Sequence, residues 1–176
     1  MAARRPRAFA LAVALAVAST ASAHARQGAL FQAMYESAVV AFQAQGDATP
    51  ARRLAAAWTH QQFETAVART RRNSPQLARP ASLLHLEMAL AAVETNPDEA
   101  LWHIRLGQQL LESLGRAQPA PLQDFVARWS VVASTVFQAR TDLPRARAAL
   151  AFGLANRPHD SRVRHHAGVI EDLASL

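Results

Sequence analysis

The sequence predicts an all-α fold built from antiparallel helical hairpins. Three observations point there. Alanine accounts for 41 of the 176 residues whereas Val and Ile together account for 14, a bias toward the best helix former and away from strand-forming side chains. Apolar residues recur at three- and four-residue steps over long stretches, the period of one helical face. The breaks between those stretches are short and hold Pro, Asn, Asp or Gly, which stop one helix and cap the next. Cysteine is absent, which excludes a disulfide scaffold, thiolate chemistry and a cysteine-linked lipid anchor.

The first segment reads as an address. Arg4, Arg5 and Arg7 precede an uncharged run over residues 8–18, and Ser19, Thr20, Ala21, Ser22 and Ala23 follow. That is the basic, apolar and small-residue order of a secretory signal, with cleavage expected after Ala23. Pro6 and Arg7 stand where a twin-arginine signal would carry an aliphatic or aromatic pair, so ordinary secretion is expected. The apolar run, about 11 to 16 residues, falls short of the roughly 20 that a spanning helix needs, leaving a retained anchor as the weaker reading. The expected organisation is residues 1–23 as leader and residues 24–176 as one helical domain, periplasmic or secreted. Without the leader the formal charge falls from +6 to +3, from 16 Arg against 13 acids.

Seven helices are expected in the remaining chain. The first carries the stripe Leu30, Met34, Ala38, Ala41 and Phe42 and closes at Gly46 and Asp47. Thr49 caps the second and Pro50 takes its first position. Its apolar face runs through Leu54, Trp58 and Val67 to a stop at Asn73, Ser74 and Pro75. Residues 81–95 are apolar nearly all round, through Leu83, Leu84, Leu86, Met88, Leu90 and Val93, as in a helix covered on most sides. Asn96, Pro97 and Asp98 end it and open the fourth, which carries Leu101, Ile104, Gly107, Leu111 and Leu114, with Gly115 placed as a terminating glycine. Glycine inside a helix costs about 1 kcal/mol relative to Ala, so Gly107 on the apolar stripe implies a close crossing with another helix. Pro119 and Pro121 mark a loop. A fifth helix of about 19 residues follows through Leu122, Phe125, Val126, Trp129, Val132, Ala133, Val136 and Phe137. Asp142 and Pro144 open the sixth, with Leu143, Ala146, Leu150, Gly153 and Leu154. Asn156, Pro158 and Asp160 lead into the seventh, with Val163, Ala167, Ile170 and Leu173. Loops of about two to eight residues make neighbouring helices antiparallel.

Pro97 is followed nine and ten residues later by Leu106 and Gly107, and Pro158 at the same intervals by Ala167 and Gly168. His103, Leu106, Gly107 and Leu110 recur as Arg164, Ala167, Gly168 and Glu171. Ala146, Leu150 and Pro158 take the spacing of a companion helix, with Gly153 as the small residue between. This pattern resembles the tetratricopeptide repeat, in which small residues let the two helices of a hairpin approach and Pro ends the pair. The match is good over residues 141–172, fair over 83–114 and poor before residue 80. Two departures stand against it: Pro97 and Pro158 are 61 residues apart, short of two repeats of about 34, and His103 and Arg164 occupy the usual aromatic position.

The resemblance implies a short right-handed solenoid whose concave face, lined by first helices, holds a peptide or a partner helix. By that implication Trp102, Arg105, Gln108, Gln109, Arg162, Arg164 and His165 are the candidate partner-binding residues, with Arg and Gln suited to the carboxylates or backbone amides of a protein or peptide. The opposed reading of these side chains is a solvated face.

Catalytic and metal-binding patterns are weaker. The histidines are His24, His60, His85, His103, His159, His165 and His166, and no two show the four-residue spacing that sets paired ligands on one helical face. Adjacent His165 and His166 point about 100° apart on a helix. His85, on the all-round apolar helix, reads as a hydrogen-bonded buried imidazole. Cleavage after Ala23 would make His24 a terminal amine and imidazole, as in copper histidine braces, but those sites belong to proteins that resemble β-sandwiches. Glu36-Ser37 is similar to the catalytic pair of lysozyme-like lytic transglycosylases, whose Gly-Leu-Met-Gln stretch is missing, and no second carboxylate is placed for acid-base work. Neither a nucleophile elbow nor a phosphate loop occurs. No enzyme activity, metal or cofactor is expected. The alternative is a small helical cell-envelope enzyme or metal-binding protein using His residues.

Residues 50–80 hold six Arg against Glu64. An exported chain rarely meets nucleic acid, so these read as solvated positions, some favouring a helix C-terminus, with an acidic partner or an anionic membrane surface as the second reading. Membrane attachment is expected only if the leader is retained. Self-association stays open, because Leu173 and Leu176 leave apolar residues on a last helix with none after it.

Overall fold

The computed structural model describes residues 5–114 and 120–175, with side chains for residues 25–114 and 123–175. Among them are eight α-helices and no strand: α1 (Arg5–Gln45), α2 (Thr49–Ala57), α3 (His60–Asn73), α4 (Ala78–Ala92), α5 (Pro97–Glu112), α6 (Ala120–Ala139), α7 (Leu143–Asn156) and α8 (Ser161–Ala174). A single 3-10 turn, Pro75–Leu77, precedes α4. The fold is all-α, as the composition predicts. No helix among the described residues is long and apolar enough to cross a membrane. The expected leader falls on residues whose side chains are not described, and the turn at Gly115 and Pro119 and the terminal Leu176 also lie outside the described residues.

The eighth helix comes from a break in the expected second one. Trp58 turns extended, and the Thr59 hydroxyl accepts from the Gln62 amide at 3.3 Å while the Gln62 side chain accepts from the Thr59 amide at 2.9 Å. This reciprocal capping box restarts the helix as α3. The Trp58 ring folds inward against Phe31 and Phe63. The other helix starts follow the sequence: Asn96, Asp142 and Asp160 each accept amides of the turn they open. Gly46, at φ +70, supplies the left-handed residue that ends α1.

The pairs α1–α3, α4–α5, α6–α7 and α7–α8 pack antiparallel. In the α4–α5 hairpin Ser82 faces Gly107 and His85 faces His103, with the Ser82 hydroxyl donating to the Gly107 carbonyl at 2.8 Å. In α6–α7 Ser130 meets Gly153 and Asp124 pairs with Arg157. Successive layers then overlap: α6 contacts both α4 and α5, and α8 contacts both α7 and α6. At the other end α1 lies along α3 and also touches α2 and α4.

The glycines separate the packing expectations. A Cβ on Gly153 would lie 2.7 Å from the Ser130 Cβ, so that glycine marks a close crossing, whereas one on Gly107 would find ordinary contacts at 3.5 Å from His85 and Ser82. Gly168, despite its repeat spacing, faces nothing within 4 Å and is not a packing residue. The α1 stripe is also rotated from the one expected. Its buried face is Tyr35, Ala38 and Val39 with Phe31 and Phe42 beside them, leaving Leu30 57% and Met34 42% exposed. The cause is Tyr35, whose ring inserts among Phe63 and His85 and turns the helix by about one residue.

Candidate functional site

The most polar feature of the core starts with two histidines at the centre of a hairpin. Because α4 is buried on most of its circumference, His85 has no route to water, and the antiparallel register sets His103 opposite it. Their Nδ1 atoms are 3.0 Å apart, and the Tyr35 hydroxyl lies 3.0 Å from His85 Nε2. One proton assignment satisfies the chain: Tyr35 donates to His85 Nε2, His85 Nδ1–H donates to His103 Nδ1, and His103 Nε2–H points to Glu99, 3.9 Å away at the surface. Phe63 packs edge-on against Tyr35, His85 and His103.

All three polar rings are at most 1% exposed. Burial, reinforced by the neighbouring His103, holds the His85 imidazole well below its usual range. Burial and then the charge of His60 bring His103 down to about 4. Burial pushes the Tyr35 hydroxyl up. The network is therefore neutral near pH 7 and closed to any substrate, and it fixes the register of α1, α4 and α5. His85 is the hydrogen-bonded buried imidazole that the sequence suggests, whereas its partners Tyr35 and His103 were not legible as such. The available signal was positional: residues 85 and 103 flank the 93–96 turn at the same register as 82 and 107. Among the described residues no three His, Asp or Glu gather to hold a metal ion.

The residues expected to bind a partner lie on two helices, α5 and α8. On α5, Trp102 is half-buried, donates to Glu64 at 2.8 Å and stacks on His60, while Gln108 donates to Glu112 at 3.0 Å. Arg105 and Gln109 are exposed and make no hydrogen bond or ion pair among the described residues. On α8, Arg162 pairs with Asp160 at 2.7 Å, Arg164 donates to the Pro158 carbonyl at 2.8 Å, and the His165 ring meets His166 edge-on. In packing, α5 pairs most closely with α4, and α8 lies against α7 and α6.

An open apolar cleft lies elsewhere, between α1 and α2. Ala33, Met34, Ser37 and Ala38 form one wall, Pro50 and Leu54 the other, around about 380 Å³. The surrounding charge is uneven. Arg128–Glu87, Arg140–Asp98, Arg145–Asp142, Arg147–Glu171, Arg157–Asp124 and Arg162–Asp160 compensate most arginines of α6 to α8. None of the six arginines between residues 50 and 80 forms an ion pair among the described residues. Arg69 lies against the Gly28 backbone and packs α3 on α1, and Arg71 and Arg72 sit in the last turn of α3, where they oppose its dipole. Arg52 and Arg53 are exposed on α2. Their charges act on Asp47, whose carboxyl is held below its usual range mainly by its hydrogen bonds with Thr49 and less by the two arginines.

No known protein family, curated protein or solved structure matches the chain.

Proposed function

We propose that the chain is an exported helical-hairpin adaptor, a short solenoid similar to tetratricopeptide repeats, that binds a protein or peptide partner in the periplasm. The observation that carries this reading is the order of packing. Each hairpin is followed by a helix that lies on both of its members, as α6 does on α4–α5 and α8 on α7–α6, which is how stacked repeats extend. Such stacking leaves long helical faces open for a partner. The polar core groups that chemistry could use, Tyr35, His85 and His103, are spent on each other. Export rests on the leader pattern of residues 1–23.

Cross-linking followed by co-purification of the mature protein from envelope extract tests the reading. One partner recovered in near-equal amount is the expected result, and its absence would sink it. Metal titration addresses the alternative: tight one-to-one binding that is lost on substitution of His24 or His165 would replace the adaptor with a metal-binding protein.

A further inference from the structure

We propose that Tyr35 is a redox-active tyrosine: a strong one-electron oxidant at the Trp102 surface draws an electron from its ring while His85 and His103 carry its hydroxyl proton to the edge of the core. This property stands apart from partner binding. A network closed to substrates is not closed to an electron.

The proton route is the hydrogen-bonded chain itself. Its two links, Tyr35 hydroxyl to His85 Nε2 and His85 Nδ1 to His103 Nδ1, are each 3.0 Å, within reach of direct proton transfer. At rest Tyr35 donates to His85 and His85 donates to His103. When Tyr35 gives its proton to His85 Nε2, the Nδ1 proton of His85 passes to His103 Nδ1. His103 then carries a proton on each nitrogen and is a cation, with the Glu99 carboxylate 3.9 Å from its Nε2. Both links survive with their directions reversed, since His85 Nε2–H now donates to the Tyr35 oxygen and His103 Nδ1–H to His85 Nδ1. A proton taken from solvent has no such outcome, because Tyr35 keeps its own hydrogen and faces an N–H. The chain therefore has two fully bonded states, and they differ by what Tyr35 has lost.

Loss of the proton alone is blocked, because burial pushes the Tyr35 hydroxyl up. Loss of an electron removes that block, for a phenol radical cation is a strong acid and yields its proton to an imidazole within hydrogen-bond reach. The step balances. Tyr35 loses one electron to the oxidant and one proton to the histidines and becomes a neutral phenoxyl radical; His103 gains one proton. The oxidant, a radical or a high-potential metal complex, is reduced by one electron.

The electron route is a run of rings in contact. Phe63 lies 5.4 Å from Tyr35 and 5.4 Å from Trp102, and Trp102 also meets His103 at 4.8 Å. Trp102 is half-buried, stacks on exposed His60 at 4.1 Å and donates its indole N–H to Glu64 at 2.8 Å. That carboxylate favours a positive charge on the indole, which makes Trp102 the point where an external oxidant meets the chain.

The test is laser-flash oxidation of the purified protein by a photo-generated ruthenium(III) polypyridyl complex, read by transient absorption and by electron paramagnetic resonance. Tyr35 is the single tyrosine of the chain, so a phenoxyl signal needs no further assignment. A tryptophan radical that converts to a neutral phenoxyl, more slowly in heavy water, is the expected result. His103→Phe removes the second proton acceptor and should slow that conversion at least about tenfold. Trp102→Phe should lower the phenoxyl yield. Circular dichroism establishes that each variant is folded, and the isotope effect on the unaltered protein depends on neither. Tryptophan radicals with no phenoxyl, equal rates in light and heavy water, or unchanged kinetics in folded His103→Phe would overturn the proposal. An unchanged yield in Trp102→Phe would overturn the route through Trp102.

Discussion

Lowering the pH from 7 toward 4 should destabilise this protein more steeply than its carboxylates require, because His85 and His103 are sealed in the core as neutral rings. In the unfolded chain each takes up a proton near pH 6.5, whereas folded His103 resists until about 4 and His85 lies well below its usual value. Between those limits the unfolded state binds more protons, so stability is fully present above about 6.5 and falls as the pH falls. For His103 alone the interval corresponds to about 3 kcal/mol, with a slope approaching 1.4 kcal/mol per pH unit. His85 adds to it with the same sign. The geometry explains why no partner relieves the cost. A proton on His103 Nδ1 drives the His85 proton to Nε2, which leaves the Tyr35 hydroxyl without its acceptor, and among the described residues Glu99 is the one acid within ion-pair distance of the pair, 3.9 Å from His103. From α3 the pair meets the Phe63 ring and the charge of His60, which adds no relief. Urea unfolding at pH 7, 6, 5 and 4.5, with histidine titration by NMR, measures the effect. His103→Phe should start about 1 to 3 kcal/mol less stable at pH 7, since the His85 donor loses its acceptor, yet lose less on acidification. Asp160, held at about 2 chiefly by its hydrogen bond with Arg162, loses its contribution only below pH 3.8, outside this window. A wild-type midpoint unchanged between pH 7 and 4.5, or a His103 titration near 6.5, would refute the reasoning.

Further outcomes follow from the packing and the leader. Gly153→Ala should destabilise by about 1 to 2 kcal/mol in urea melts, because overpacking against Ser130 exceeds the gain in helix propensity. Gly107→Ala, whose new methyl finds ordinary 3.5 Å contacts, should instead be neutral or stabilising by up to about 1 kcal/mol. Thr59→Ala removes the α3 capping box and should cost about 1 kcal/mol in the same assay. Amino-terminal sequencing of exported protein should begin at His24, and a terminus still at Met1 would overturn the export proposal.

Helix positions were legible where apolar period and caps agree, as at Asn96-Pro97, Asp142 through Pro144 and Asp160. The Thr59 break was missed although Thr59 and Gln62 stand at capping-box spacing, because no Pro or Gly marks it and Leu54 and Trp58 run into it four residues apart. The face of α1 was misplaced because Leu30 and Met34 outweigh Tyr35 on any hydrophobic count. What decides the face is that the Tyr35 hydroxyl has a buried acceptor in His85, a residue 50 positions away. The same distance hid the rest of the polar network. Gly107 was read as a close crossing from its place on the apolar stripe; it is buried against Ser82 and His85, but at a spacing that an Ala methyl would also fit. Gly168 shows the limit of that inference, for on an exposed face the same spacing packs against nothing. The cleft was invisible in the sequence for a related reason: Pro50 and Leu54 were read on a helix that continued to Asn73, and only the turn at Trp58 sets them beside α1.

The central proposal is that this chain is an adaptor that binds a partner protein on an exposed helical face. Photo-cross-linking side chains placed singly at positions 34, 54, 105 and 109 in cells exporting the protein test it most directly. Adducts to one protein from the α1–α2 pair, 34 and 54, or from the α5 pair, 105 and 109, are the predicted result, and no adduct at any position would contradict the adaptor proposal.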